Sequence, residues 1–140
     1  MSRLIVLAGN ALAVTLLLSA CSAAPQSPTP SGPASAKKIG EPDNGSTVTL
    51  HAGDQLDITL TANPTTGYQW EIAADDAAVV KPVGGPEYIP GGTALGSGGK
   101  TTFHFEAVAP GQTTLKLIYH RPFEKNTPPV NTFEVTVVVK

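Results

Sequence analysis

From Thr47 onward the chain is written in short runs that are apolar at every second position and cut by proline or glycine. Leu56, Ile58 and Leu60 form one row, and Phe103, Phe105 and Ala107 a second. Leu115, Leu117 and Tyr119 form a third, and Phe133, Val135, Val137 and Val139 a fourth. Successive strand side chains point to opposite faces, so each row is one apolar face of a strand. An amphipathic helix needs apolar residues three and four apart, and that pattern is scarce here. With 14 glycines and 13 prolines in 140 residues, the runs stop early. The chain is held to an all-β fold of short strands.

Strands are expected at residues 47–50, 55–61, 68–73, 79–83, 87–89, 101–108, 113–120 and 131–139. About seven or eight short strands with turn signals between them predict an immunoglobulin-like antiparallel β-sandwich. Pro82 puts its run at a sheet edge, and 87–89 reads as another edge piece. Residues 75–80 have room for a single helical turn. Trp70 falls on the third strand, where such sandwiches bury a tryptophan, and sharing a face with Ile72 makes it a core residue. Tyr68 is read either as core rim or as contact surface. The only cysteine, Cys21, cannot form an internal disulfide, so packing between sheets must supply the stability.

Residues 46–140 contain all these runs, and what precedes them is of another kind. Arg3 supplies a positive charge, and residues 4–18 form an apolar run short for a membrane span. Residues 1–20 therefore read as a secretory signal peptide. Leu18-Ser19-Ala20-Cys21 resembles the bacterial lipobox, in which the thiol is acylated (palmitate is one such group) and the chain is cut before the cysteine. The other reading is an ordinary signal peptide with a cysteine there by chance. The lipobox resemblance implies an exported protein anchored to the cell-envelope membrane by its N-terminal lipid. Two or three acyl chains hold firmly where one is marginal. Residues 21–45, with Pro25, Pro28, Pro30, Pro33 and Pro42, carry no apolar period and read as a tether. As a flexible coil it would reach about 25–30 Å.

Several functions are disfavoured. Eleven acidic and nine basic residues leave a net charge of −2, which gives no field for nucleic acid. His51, His104 and His120 are scattered without ligand spacing, so no metal is expected, and no cofactor. Asp75-Asp76 is a lone acidic pair that reads as a solvated turn or helix start rather than a calcium site. Ala94 to Thr101 superficially fits a phosphate loop, but strand-like alternation follows it where a helix should begin. No catalytic constellation is present.

Three irregular segments remain. Asn63-Pro64-Thr65-Thr66-Gly67 joins the second and third strands: Pro64 fixes its φ, Asn63 is biased to extended geometry, and Gly67 permits a turn. The second segment is glycine-rich, from Gly91 through Gly96-Ser97-Gly98-Gly99. The third is Arg121-Pro122-Phe123, after the strand ending at His120. Taken singly, these are a plain loop, a floppy connector and a strand end. In an immunoglobulin-like sandwich the loops after the second and sixth strands emerge at one end, which makes the first and third neighbours.

Asn63-Pro64-Thr65-Thr66-Gly67-Tyr68-Gln69-Trp70, then Gly96-Ser97-Gly98-Gly99, then Arg121-Pro122-Phe123, in that order, resemble the chagasin family of cysteine-peptidase inhibitors. The resemblance spans roughly Leu50 to Val139. One departure is Phe123, where the family usually has tryptophan; phenylalanine keeps the aromatic face and loses the indole N–H. The resemblance implies a monomeric, non-catalytic partner of papain-like cysteine peptidases whose three loops wedge into the active-site cleft. Asn63, Pro64, Thr65, Thr66 and Gly67 would sit over the catalytic cysteine and histidine, with Tyr68 beside them. Gly96, Ser97, Gly98 and Gly99 would offer bare backbone on one side. Arg121, Pro122 and Phe123 would pack on the other, with Arg121 and Phe123 as anchors. Trp70 would brace the first loop. The alternative is an envelope lipoprotein whose domain has a structural or different binding role. An inhibitor needs all three segments on one face, and an adhesion module does not.

Overall fold

The computed structural model describes residues 34–140. The expected signal peptide, Cys21 and the front of the expected tether lie outside the described residues. Among these residues nine strands occur and no α-helix. They are β1 (Ala36–Gly40), β2 (Thr47–Leu50), β3 (Gln55–Ala62), β4 (Gln69–Ala74), β5 (Val80–Pro82), β6 (Glu87–Pro90), β7 (Gly99–Ala107), β8 (Gly111–His120) and β9 (Asn131–Val139). One sheet has the order β1-β3-β7-β5, with β6 also paired to β7; the other has the order β2-β9-β8-β4.

The expected sandwich forms, with the four predicted apolar rows turned inward. Leu56, Ile58, Leu60, Leu115, Leu117 and Val137 lose all solvent contact, and Phe105, Phe133 and Val135 nearly all. Each such side chain contributes about 1.5–3 kcal/mol relative to exposure. Trp70 is buried with them. Residues 76–80 make a single turn and no helix, Val80 N donating to the Asp76 carbonyl at 2.8 Å.

Two expectations are corrected. The sandwich is not wholly antiparallel: β1 lies parallel to β3, and β2 parallel to β9. The reason is that β1 and β2 belong to different sheets. The chain climbs beside β3, turns over at one end, and descends beside β9, so neither strand has a hairpin partner. Second, part of the expected tether is fold, and the domain begins ahead of Ser46. Only Ile39 of β1 is buried, so there was no period to read. Glu41–Asp43 forms a 3-10 turn that carries the chain between the sheets. Asp54 clasps the far end, accepting from His51 N at 2.9 Å and Ser35 N at 3.0 Å. These two backbone hydrogen bonds hold its carboxyl below the usual carboxylate range.

The register sets the site. Ala62 pairs with Gly99, Pro90 with Gly99, Gln69 with His120, and Tyr119 with Asn131. These are terminal rungs at one end of the sandwich. Residues 63–67, 91–98 and 121–130 therefore leave the sheets together.

Candidate protein-binding site

Residues 63–67 turn on their own hydrogen bonds. Pro64–Thr66 is a 3-10 turn, with Gly67 in the left-handed region at φ 80°. Thr66 N and Thr66 Oγ1 donate to the Asn63 carbonyl at 3.2 and 2.7 Å, and Gly67 N to the Pro64 carbonyl at 2.9 Å. Thr65 Oγ1 donates to Asn63 Oδ1 at 2.5 Å. Both threonines are exposed, but their hydroxyls are turned back onto Asn63. The hydroxyls fix the loop, and what the tip shows outward is largely methyl and backbone.

The loop is tied down from below. Tyr119 Oη accepts from Asn63 N at 2.8 Å, and Trp70 Nε1 donates to the Thr61 carbonyl at 2.9 Å. Tyr119 in turn lies between two rings, 5.0 Å from Trp70 and 5.5 Å from Tyr68. The Arg121 guanidinium covers the Tyr68 ring at 4.4 Å and lies 6.0 Å from Phe123. One continuous stack thus runs from the core tryptophan to the third loop. Tyr68 is half-buried within it, at the rim of the core, with part of its ring still open to solvent.

Arg121 is a brace more than an anchor. Its Nη1 donates to Glu124 Oε1 at 3.0 Å, and its Nε is buried without a partner. The hydrogen bond to Glu124 raises its already high pKa, so it stays charged, with the charge locally answered. Phe123 differs: it is 68% exposed. A side chain at Gly67 would meet its ring at 3.2 Å, so the glycine makes room for the phenyl group. Pro122 is exposed beside it.

The glycine-rich loop meets the first loop where Asn63 Nδ2 donates to the Gly96 carbonyl at 3.3 Å. Ser97 Oγ donates within the loop, to the Ala94 carbonyl at 2.7 Å and the Gly92 carbonyl at 3.0 Å. Part of the backbone at Gly98 and Gly99 is engaged within the fold. The Gly98 carbonyl already accepts from Gly91 N at 2.8 Å. Gly99 is a buried rung of β7, and a side chain there would strike the Ile89 carbonyl and the Tyr88 hydroxyl. Gly96 and Ser97 form the more open part.

Sequence reasoning missed Leu95, Tyr119 and Glu124. Leu95 is fully exposed at 105%, at the tip of the glycine-rich loop. Its signal was present: it is a leucine with no apolar partner two, three or four residues away. Tyr119 was placed in the core by its alternation, and only the register reveals that it holds Asn63. No pattern marks Glu124.

The pole therefore presents a self-braced turn with Leu95 and Phe123 as its most exposed apolar side chains. Among the described residues no His, Cys, Asp or Glu cluster could hold a metal. The stretch that mimics a phosphate loop runs into strand β7, so it has no helix N-terminus for a phosphate. Such a surface fits protein binding.

Residues 49–137 match the model of the chagasin family peptidase inhibitor I42. The chain belongs to the chagasin family. It is 31% identical to chagasin of Trypanosoma cruzi over 90 residues, covering 61% of this chain and 82% of that protein. It is 30% identical to amoebiasin-1 of Entamoeba histolytica over 87 residues, covering 61% and 83%. The crystal structure of the cysteine protease inhibitor EhICP2 from Entamoeba histolytica superposes with a TM-score of 0.70. That likeness has 25% identity and covers 78% of this chain and all of the other. All three loops lie within the region matched to the chagasin family, whereas β1 and the turn after it lie ahead of it.

Proposed function

We propose that this chain is a reversible, non-covalent inhibitor of papain-like cysteine peptidases that fills the active-site cleft with its three loops. The observation that carries the reading is their convergence at one pole, with Asn63 hydrogen-bonded to the glycine-rich loop and Arg121 stacked on Tyr68. The central segment is folded as a turn, and its carbonyls at Asn63 and Pro64 are already engaged. A peptidase cleaves extended backbone, so this turn occupies the cleft without presenting a scissile bond. Thr65 and Thr66 face the catalytic cysteine and histidine, and Leu95 and Phe123 enter the cleft on either side. The loop geometry exists before binding, which limits the entropy lost on association.

Titrating papain with the protein tests this. The expected result is stoichiometric loss of activity that returns on dilution or displacement. Phe123→Ala and Leu95→Ala should each raise Ki by about 30-fold, equivalent to about 2 kcal/mol. Their melting temperatures should stay within about 2 °C of the parent, because exposed side chains contribute little to stability. Undiminished inhibition by both variants would sink the proposed mode of binding.

We infer further that Cys21 is acylated and that the chain is exported and held at a membrane of the bacterial envelope. The support is the order Leu18-Ser19-Ala20-Cys21 after an apolar run, in a chain with a single cysteine. Cys21→Ser should move the protein from the membrane fraction into the soluble one, or leave the precursor uncut. Unchanged membrane association would overturn the anchor while leaving the inhibitor reading intact.

A further inference from the structure

β1 ends at Gly40, opposite Thr59, while β3 continues to Ala62. Beyond Thr59 the outer edge of β3 has lost its partner just where the first loop begins. An unpaired strand end frays, and fraying here would loosen the loop it feeds. Two side chains replace the missing strand at Thr61. Glu41 Oε1 accepts from Thr61 N at 2.6 Å, and Trp70 Nε1 donates to the Thr61 carbonyl at 2.9 Å. The first is a short, charge-assisted bond.

Glu41 is itself held from both sides. Asp43 Oδ2 accepts from Gly40 N at 2.9 Å, closing the turn on its near side. On its far side Asn44 grips β9, donating to the Thr132 carbonyl at 3.2 Å and accepting from Glu134 N at 2.8 Å. The turn thus straps the two sheets together over a cleft of about 190 Å³ whose lining includes Glu41, Leu60, Trp70 and Phe133. Two residues beyond Thr61, Asn63 organises the loop tip through Thr65 and Thr66.

We propose that Glu41 is a positioning residue for the inhibitory loop: its carboxylate completes the β3 ladder at Thr61 and so holds residues 63–67 in binding geometry. This extends the inhibitor reading to residues ahead of the region matched to the family. The strap raises the fraction of molecules whose loop is ready to bind, and apparent affinity scales with that fraction.

The test compares Glu41→Ala, Glu41→Gln and Asn44→Ala in the full chain. Amide hydrogen exchange at Thr61, Thr66 and Gly67 is read in the free protein, and Ki against papain with the association rate. Glu41→Ala should speed exchange at all three amides and raise Ki about tenfold, mainly through a slower association rate. Glu41→Gln, which keeps a neutral acceptor, should stay within about threefold. Asn44→Ala serves as the control for general loosening, since it weakens the strap without touching Thr61. Unchanged exchange in Glu41→Ala would overturn the proposal, as would unchanged Ki. So would Asn44→Ala raising Ki as much while exchange at Thr61 stays at the parent's rate. If the parent does not inhibit papain, the inhibitor reading fails, and the exchange data still decide whether Glu41 orders the loop.

Discussion

Gly67→Val should weaken inhibition of papain by on the order of 100-fold, about 2.7 kcal/mol, while leaving the domain folded. Two separate faults meet at this position. The backbone has φ 80°, where a β-branched residue is an outlier, and forcing it there costs about 1–3 kcal/mol. A β-carbon would also stand 3.2 Å from the Phe123 ring and 4.0 Å from Arg121 Nε, so valine's methyl groups drive into the third loop. The variant can relax by rotating the phenyl group away or by unwinding the 3-10 turn. Either response damages a surface that depends on both parts. Gly84→Val separates the causes. Gly84 has φ 70°, and a β-carbon there would meet nothing within 4 Å, so it suffers the backbone strain alone. It lies between β5 and β6, outside the three loops, and should lower the melting temperature with little change in Ki. Equal Ki losses in both variants would show that strain alone is responsible and that Gly67 has no special relation to Phe123.

Alternation made the sandwich readable, because a row such as Leu56, Ile58 and Leu60 reports one buried face whatever its partner strand. The same logic was blind to β1. A five-residue edge strand with one buried side chain, Ile39, has no period, and Lys37 and Lys38 in a stretch bounded by Pro33 and Pro42 look like linker. Partner choice was also invisible, since parallel and antiparallel edges alternate alike. At the site, composition marked the loops through Pro64, Gly67 and the glycine cluster. It did not reveal which polar groups are spent internally. Thr65 and Thr66 looked like displayed hydroxyls, yet Asn63 accepts both; Arg121 looked like an anchor, yet Tyr68 and Glu124 hold it. The threonine and Glu124 contacts are local and depend on how each loop turns, whereas Arg121 with Tyr68, like Asn63 with Tyr119, joins segments about 50 or more residues apart in sequence. Leu95 carries no alternation at all, because a lone leucine in a glycine-rich loop has no strand face to share.

Trp70→Ala should cost about 3–5 kcal/mol of folding stability, the range for truncating a buried large aromatic residue. For a domain of this size that is a large share of a total near 5–15 kcal/mol. The indole packs in the core against the partly buried Tyr119, whose ring lies 5.0 Å away, so its removal leaves a cavity between the sheets. It also removes the donor to the Thr61 carbonyl, at the strand end already short of a partner. Denaturant unfolding should register the loss as a lower midpoint with a nearly unchanged slope. Trp70→Phe divides the two contributions. Phenylalanine fills much of the cavity but cannot donate, so it should recover most of the stability while Thr61 and Asn63 exchange faster than in the parent. Full recovery of both would mean that packing alone positions the loop. Recovery of stability with a persistently raised Ki would assign the indole N–H to loop geometry, and would explain why a core tryptophan sits so close to a binding surface.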